Sequence, residues 1–226
     1  MQTKETMMSV KPFAITLDVG TSLANRTGSW RTLKPVYVDR LPPCNAKCPA
    51  GEQCQAWLFH AQSGNYENAW KQIIEDNPFP AVMGRVCYHT CQGACNRNGI
   101  DEPVGINAVE RFLGDYALEK GWQLPVPAAD TGKRILIVGA GPAGLSAAYQ
   151  LRRLGHAVHV VESAEAAGGM MRYGIPKYRL PREVLDQEIA RITALGVEFE
   201  FGREVKDLNA EMKSAGYDAA FLGAGA

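Results

Sequence analysis

The chain has 226 residues, 46% of them hydrophobic, and its 24 Lys+Arg balance 24 Asp+Glu, so the formal charge is zero. That content supports at least one real core, while the neutral balance offers no basic field for a nucleic-acid backbone or an anionic membrane. The first eleven residues lack the apolar stretch of a secretory signal and no later run reaches the roughly 18 apolar residues of a membrane span, so a soluble, cytoplasmic protein is expected, without nucleic acid or membrane as partner.

Residues 1–40 carry Gly20, Gly28 and Pro35 among scattered polar residues with no sustained periodicity, and an extended N-terminal arm is expected there. All six cysteines then fall between Cys44 and Cys95, in the groups Cys44-x3-Cys48-Pro49 and Cys87-x3-Cys91-x3-Cys95, with Cys54 nearby. In a reducing compartment such clustering favours metal ligation over disulfides. Soft thiolates suit iron-sulfur clusters or zinc. The two-residue CxxC knuckles usual in structural zinc sites are absent. Buried thiols without metal are the third possibility. Apolar residues three or four apart predict helices over 55–61, 66–75 and 108–120, making 41–122 a small α-helical domain. Trp57, Trp70 and Phe112 are expected in its core, Cys54 as a buried inert thiol and His89 on the surface. Glu110 stands three residues after Asn107 at an apparent helix start, the spacing of a capping box. Residues 123–133, with Pro125, Pro127 and Gly132, read as a linker.

Beyond the linker, strands are predicted over 134–138, 157–162, 197–201 and 218–222, with helices over 144–154 and 182–195. That order is α/β. The first strand runs directly into Gly139-x-Gly141-x-x-Gly144. Gly139 permits the tight turn, Gly141 lets a pyrophosphate approach the backbone, and Gly144 lets the helix lie against the strand. Glu162 ends the second strand, where a carboxylate accepts ribose hydroxyls. Strand, helix and acid in register predict a bound dinucleotide. An ordinary glycine turn and a plain nicotinamide dehydrogenase are the competing readings.

After Glu162 come Gly168-Gly169 and RYGIPKYRLP, and later DAAFLGAGA. This arrangement resembles the FAD-binding domains of glutathione-reductase-like flavoproteins, in which a second glycine pair lies against the cofactor. More widely, PPCNAKCPAGEQCQAWL, DNPFPAVMGRVCYHTCQGACNR, GAGPAGLSAA and GGMMRYGIPKYRLP together resemble the glutamate synthase small-subunit (beta-chain) family, which includes the N-terminal and FAD regions of dihydropyrimidine dehydrogenase. The likeness covers about residues 35–226. It implies an α-helical iron-sulfur domain followed by an α/β Rossmann-like FAD-binding domain, 134–226, incomplete at the C-terminus. It implies FAD contacts from Gly139, Gly141, Pro142, Ala143, Gly144, Glu162, Ser163, Gly168, Gly169, Met170, Arg172, Gly174, Ile175, Gly223, Ala224 and Gly225. It also implies one [4Fe-4S] cluster on Cys44, Cys48, Cys87 and Cys95. Cys91 matches a ligand of the family's second cluster, and Glu110 falls near that cluster's non-cysteine ligand. The CxxC pair that supplies the second cluster in relatives is absent, with Val36 and Asp39 standing roughly there.

The resemblance further implies an electron-transfer flavoprotein subunit passing electrons between NAD(P)(H), FAD and the iron-sulfur centre. Its partners would be catalytic or ferredoxin-like subunits of an oxidoreductase complex, of the 2-oxoacid (phenylglyoxylate-type), aldehyde or glutamate synthase kind. The competing function is a zinc-stabilised docking module without redox turnover. No catalytic side chain is expected, because redox chemistry belongs to the cofactors. In relatives the nicotinamide sits on a second unit inserted after the GAGA-like segment, so the NAD(P) site is expected outside these residues.

Overall fold

The computed structural model describes residues 41–225; the expected N-terminal arm, 1–40, lies outside the described residues. The helical part runs through α1 (Pro43–Lys47), α2 (Cys54–Gln62), α3 (Tyr66–Ile73), α4 (Pro80–Val86), α5 (Thr90–Gly93), a 3-10 turn (Asn96–Gly99) and α6 (Ile106–Glu119). α3 is held by an apolar stripe that buries Ala69, Trp70 and Ile73, with Glu67 and Lys71 paired one turn apart on the wet side. α4 is short but sharply bounded: Pro80 pre-sets its first turn and extended Cys87 ends it. α4 and α6 meet backbone to backbone, since a Cβ on Gly84 would run into the Arg111 backbone and one on Gly114 into Pro80 and Ala81. Arg85 closes the contact on Asp115 with two hydrogen bonds of 2.6 and 3.0 Å.

The second part is β1 (Arg134–Val138), α7 (Pro142–Arg153), β2 (Ala157–Val161), α8 (Met170–Tyr173), α9 (Arg182–Ala194), β3 (Glu198–Glu200), α10 (Leu208–Ala215) and β4 (Ala219–Leu222). The strands form one parallel sheet in the order β3-β2-β1-β4. Side chains alternate across it. Ile137, Val158 and Val160 pack under Leu145, Ala148 and Tyr149 of α7 and Leu185, Ile189 and Ile192 of α9. Leu136 and Val161 face Tyr217 and the α10 residues Leu208 and Met212. This is a helical bundle followed by a doubly wound Rossmann-like region, as the sequence predicts.

The two parts share one core. The cluster under α7 and α9 continues into Trp70, Ile74, Phe79, Val82 and Ala117 of the helical part. Polar ties reinforce it: the Tyr149 hydroxyl donates to the Ile74 carbonyl at 2.6 Å, and Arg153 donates to that of Glu75 at 2.7 Å. Glu188, fully buried on α9, accepts the N–H groups of Ala81 and Val82, both at 3.0 Å. Residues 123–133 form no helix or strand, yet they are docked, with Leu124 buried and Ala128 N–H donating to Arg153 O.

Two expectations are corrected. The helix expected to start at Asn107 starts earlier, behind Gly105, so Asn107 lies within its first turn and its side chain donates to Met83 O at 3.2 Å. Glu110 therefore caps nothing and is buried. Phe112 is 45% exposed, on the outer side of α6, where it stacks on Tyr116 and meets Tyr66 edge-on. Trp57 and Trp70 are buried as expected. Among the described residues, no helix is long and apolar enough to cross a membrane.

Candidate cofactor sites

The cysteines sit in or beside short elements of the helical part. Cys44 sits inside α1 and Cys48 follows it; Cys87 ends α4, Cys91 lies in α5, and Cys95 precedes the 3-10 turn. Thr90 ties the two groups, its hydroxyl donating to Lys47 O at 2.7 Å. Cys44, Cys48, Cys54 and Cys91 pack into one cluster with Trp57, Ile73, Ile106 and Leu113. Among the described residues, no three His, Cys, Asp or Glu side chains stand close enough to share a single metal ion.

The donor chemistry around the sulfurs fits a thiolate-held centre. The Cys54 thiol, followed by the N–H groups of Glu52, Ala50 and Gly51, draws the Cys48 thiol down to about 6 against the burial that opposes it. His89 N–H points at the Cys87 sulfur, 3.4 Å away, and Gln92 N–H serves Cys91. Such N–H to sulfur bonds stabilise charge on ligating thiolates and tune cluster potential. Burial pushes the Cys91 thiol up to about 11 and Cys87 upward as well. His89 has an exposed imidazole, but its backbone is what the site uses. Among the described residues it is the one non-glycine residue in the left-handed region, φ +56°, a conformation that costs energy for a residue with a Cβ.

Beneath the cysteines lies a polar group that sequence reasoning missed. The amide of Asn77 donates to Glu52 and to Glu110, each at 2.9 Å, and Trp57 donates to Glu52 at 3.2 Å. All three polar residues are buried. Burial, then the neighbouring Cys48, pushes Glu52 up to about 7. Burial, then Glu52 and Cys48, pushes Glu110 up to about 9. Glu110 drew notice for its spacing from Asn107 and, through the family resemblance, for its place near a second cluster's ligand; nothing local in sequence links it to Glu52 or Asn77.

The glycine turn lies at the carboxyl end of β1, beside the switch point where the chain order passes from β2 on one flank of β1 to β4 on the other. Gly139, φ +101°, turns back under Gly223, whose N–H donates to Val138 O at 2.8 Å. Gly141 is the N-cap of α7 and Pro142 its first residue, which leaves the Ala143 and Gly144 N–H groups of the first turn free of intrahelical partners. Gly168 N–H donates to Ala140 O at 2.8 Å, and Gly169, φ +46°, faces Gly141 so closely that a Cβ there would lie 2.7 Å from the Gly141 Cα.

Glu162 is buried and turned toward the same turn: one oxygen accepts Ala140 N–H at 2.6 Å, the other Ala164 N–H at 2.8 Å and the Ser163 hydroxyl at 3.2 Å. A carboxylate has about four lone-pair sites, so one remains for a ribose hydroxyl. Met170 is exposed, Ile175 is half-buried against the core, and Gly174 packs on Met170. The Arg172 guanidinium is bonded to Ala167 O and Asp186. Ala224 and Gly225 are exposed past β4. The turn, Glu162, the second glycine pair and Gly223 therefore meet, and the Arg172 side chain packs on Gly168 of that pair.

Two family profiles match the chain: dihydropyrimidine dehydrogenase domain II, 4Fe-4S cluster, over residues 39–122, and NAD(P)-binding Rossmann-like domain, over residues 137–190. Among curated relatives, the NADP(+)-dependent formate dehydrogenase subunit beta of Moorella thermoacetica is 37% identical over 207 residues, 81% of this chain and 29% of that protein. The NAD-dependent dihydropyrimidine dehydrogenase subunit PreT of Salmonella typhimurium is 40% identical over 165 residues, 72% of this chain and 40% of that subunit. The glutamate synthase [NADPH] small chain of Mycobacterium tuberculosis is 37% identical over 188 residues, 82% of this chain and 38% of that one. The matched region thus spans less than half the length of each of these relatives.

Proposed function

Because this chain belongs, at the family level, to the NAD(P)H oxidoreductases related to the glutamate synthase small subunit and dihydropyrimidine dehydrogenase, we propose that it forms the flavin- and iron-sulfur-binding part of an electron-transfer oxidoreductase subunit. The observation that supports the proposal is one apolar core that runs from the helical part, whose cysteines carry N–H donors to sulfur, to a glycine turn closed by a second glycine pair. FAD, when bound, exchanges a hydride with a nicotinamide and releases electrons singly, which suits a neighbouring cluster. Gly141 and the first turn of α7 would take the pyrophosphate, and Glu162 one ribose hydroxyl. Gly168-Gly169, packed on that turn, favours FAD over a nicotinamide in this position. Cys44, Cys48, Cys87 and Cys95 would hold a [4Fe-4S] cluster. Asn77 keeps Glu52 and Glu110 hydrogen-bonded beneath them, where each retains its proton more strongly than an exposed carboxyl would. The cellular partners are proposed as catalytic or ferredoxin-like subunits in the cytoplasm.

The test is cofactor analysis of protein purified without oxygen. Expected are about four irons and about four sulfides per chain, one FAD, and loss of the iron but not the flavin on Cys44→Ser. One zinc without sulfide would replace the redox reading with a docking module, and tight NAD binding without flavin would replace it with a nicotinamide dehydrogenase.

A further inference from the structure

Among the described residues, the carboxyl of Glu188 is the one fully buried acid that the sites above do not use. It projects from α9, on the nucleotide side of the core, to the amino end of α4, where its two oxygens accept the N–H groups of Ala81 and Val82. Those are the second and third residues of α4, and the first, Pro80, has no N–H. Met83 N–H already reaches Phe79 O at 2.8 Å, so Glu188 satisfies every donor that this helix end leaves open. The other flank of α4 has no slack, because Gly84 and Gly114 let its backbone touch that of α6. The helix is only 7 residues long and ends at Cys87, whose N–H closes on Met83 O at 2.9 Å. At 1.5 Å per residue, Glu188 and Cys87 are separated along α4 by a rod of about 9 Å.

The geometry points to Glu188 as a positioning residue: through α4 it sets where Cys87 stands, so that the thiol site is held by a side chain of the nucleotide-binding part. This rests on the reading of Cys87 as a cluster ligand. Gln keeps the size of Glu but turns one acceptor oxygen into an NH2 group, which leaves one helix N–H facing a donor. Groups that orient ligands from outside the coordination shell typically change metal retention by 10- to 100-fold when altered.

The experiment compares wild-type, Glu188→Gln and Ile192→Ala holoproteins, the last removing buried side chain from the same helix while leaving the acceptor of the Ala81 and Val82 N–H groups in place. For each, flavin content, melting temperature, the rate of iron loss to a chelator and the low-temperature electron paramagnetic resonance spectrum of the reduced protein are measured. The expected result is full flavin in Glu188→Gln, iron loss roughly tenfold faster than wild type and shifted g-values, with Ile192→Ala keeping the wild-type spectrum at an equal or larger fall in melting temperature. An unchanged spectrum and iron-loss rate in Glu188→Gln, or the same changes in Ile192→Ala, would overturn the proposal while leaving the cluster reading intact. Wild-type protein that holds zinc instead of iron would overturn both.

Discussion

At the scale of single residues, Gly169 and His89 each occupy left-handed backbone for a different end. Gly169 does so where its α-carbon faces Gly141, so Gly169→Ala adds both strain and a clash in the turn. The expected cost is about 1–3 kcal/mol, read as loss of bound flavin per chain at unchanged iron. His89 already bears that strain, and His89→Gly should keep the N–H to Cys87 while raising stability by up to about 1 kcal/mol. His89→Val, β-branched at the same φ, should shed iron faster; equal iron retention in the two variants would remove the backbone from the account.

Glu188 carries the pH dependence at this scale. Burial pushes its carboxyl up to about 8, against the pull of the Ala81 and Val82 N–H groups and of Arg191 and Arg85. The folded chain thus holds a proton that the unfolded chain releases near its ordinary value of 4.5. Stability from that proton is complete below the unfolded value and is lost as pH rises through about 8. Urea unfolding at a series of pH values should show a free energy falling through this window, by at most about 1.4 kcal/mol per unit for this group. Glu188→Gln should remove that share of the slope; an unchanged slope would assign it elsewhere.

Among the elements, β1 and β2 were legible because buried parallel strands are short unbroken apolar runs, and RILIV and AVHVV sit against a glycine turn and its helix. α4 was not, because 7 residues between Phe79 and Cys87 show too little of a helical period, although Pro80 at its first position was a readable sign. α10 was not predicted either, although Asp207, which caps Ala210 N–H, and Gly216, which ends the helix in the left-handed region, were readable marks. Glu110 misled because its spacing from Asn107 suits a capping box, while the true start lies behind Gly105. The carboxyl contacts of Glu110 and Glu188 join residues far apart in the chain, and no local pattern encodes those. The cysteine groups and the glycine turn, by contrast, were visible as spacings. The tight α4–α6 contact makes its own prediction: Gly114→Ala drives a methyl into the Pro80–Ala81 backbone and should lower stability by about 1–3 kcal/mol in chemical denaturation. Tolerance of that methyl would mean that the two helices can part.

Over the described residues, the shared core predicts that the helical and Rossmann-like parts fold as one unit. Tyr149→Phe deletes the bond to Ile74 O inside that core and is expected to cost about 1 kcal/mol. A single unfolding transition should persist in the variant, followed by tryptophan fluorescence and by far-ultraviolet dichroism together. Separate transitions from the two probes would divide the unit.

The docked segment over residues 123–133 has a consequence for attempts to cut the protein in two. Leu124 is sunk in the core and Ala128 and Thr131 are bonded to the end of α7 and the turn after it, so a protease nick there severs the polypeptide without releasing either piece. The fragments would elute together from a sizing column and part only in denaturant, which makes expression of either half by itself a poor route to soluble material.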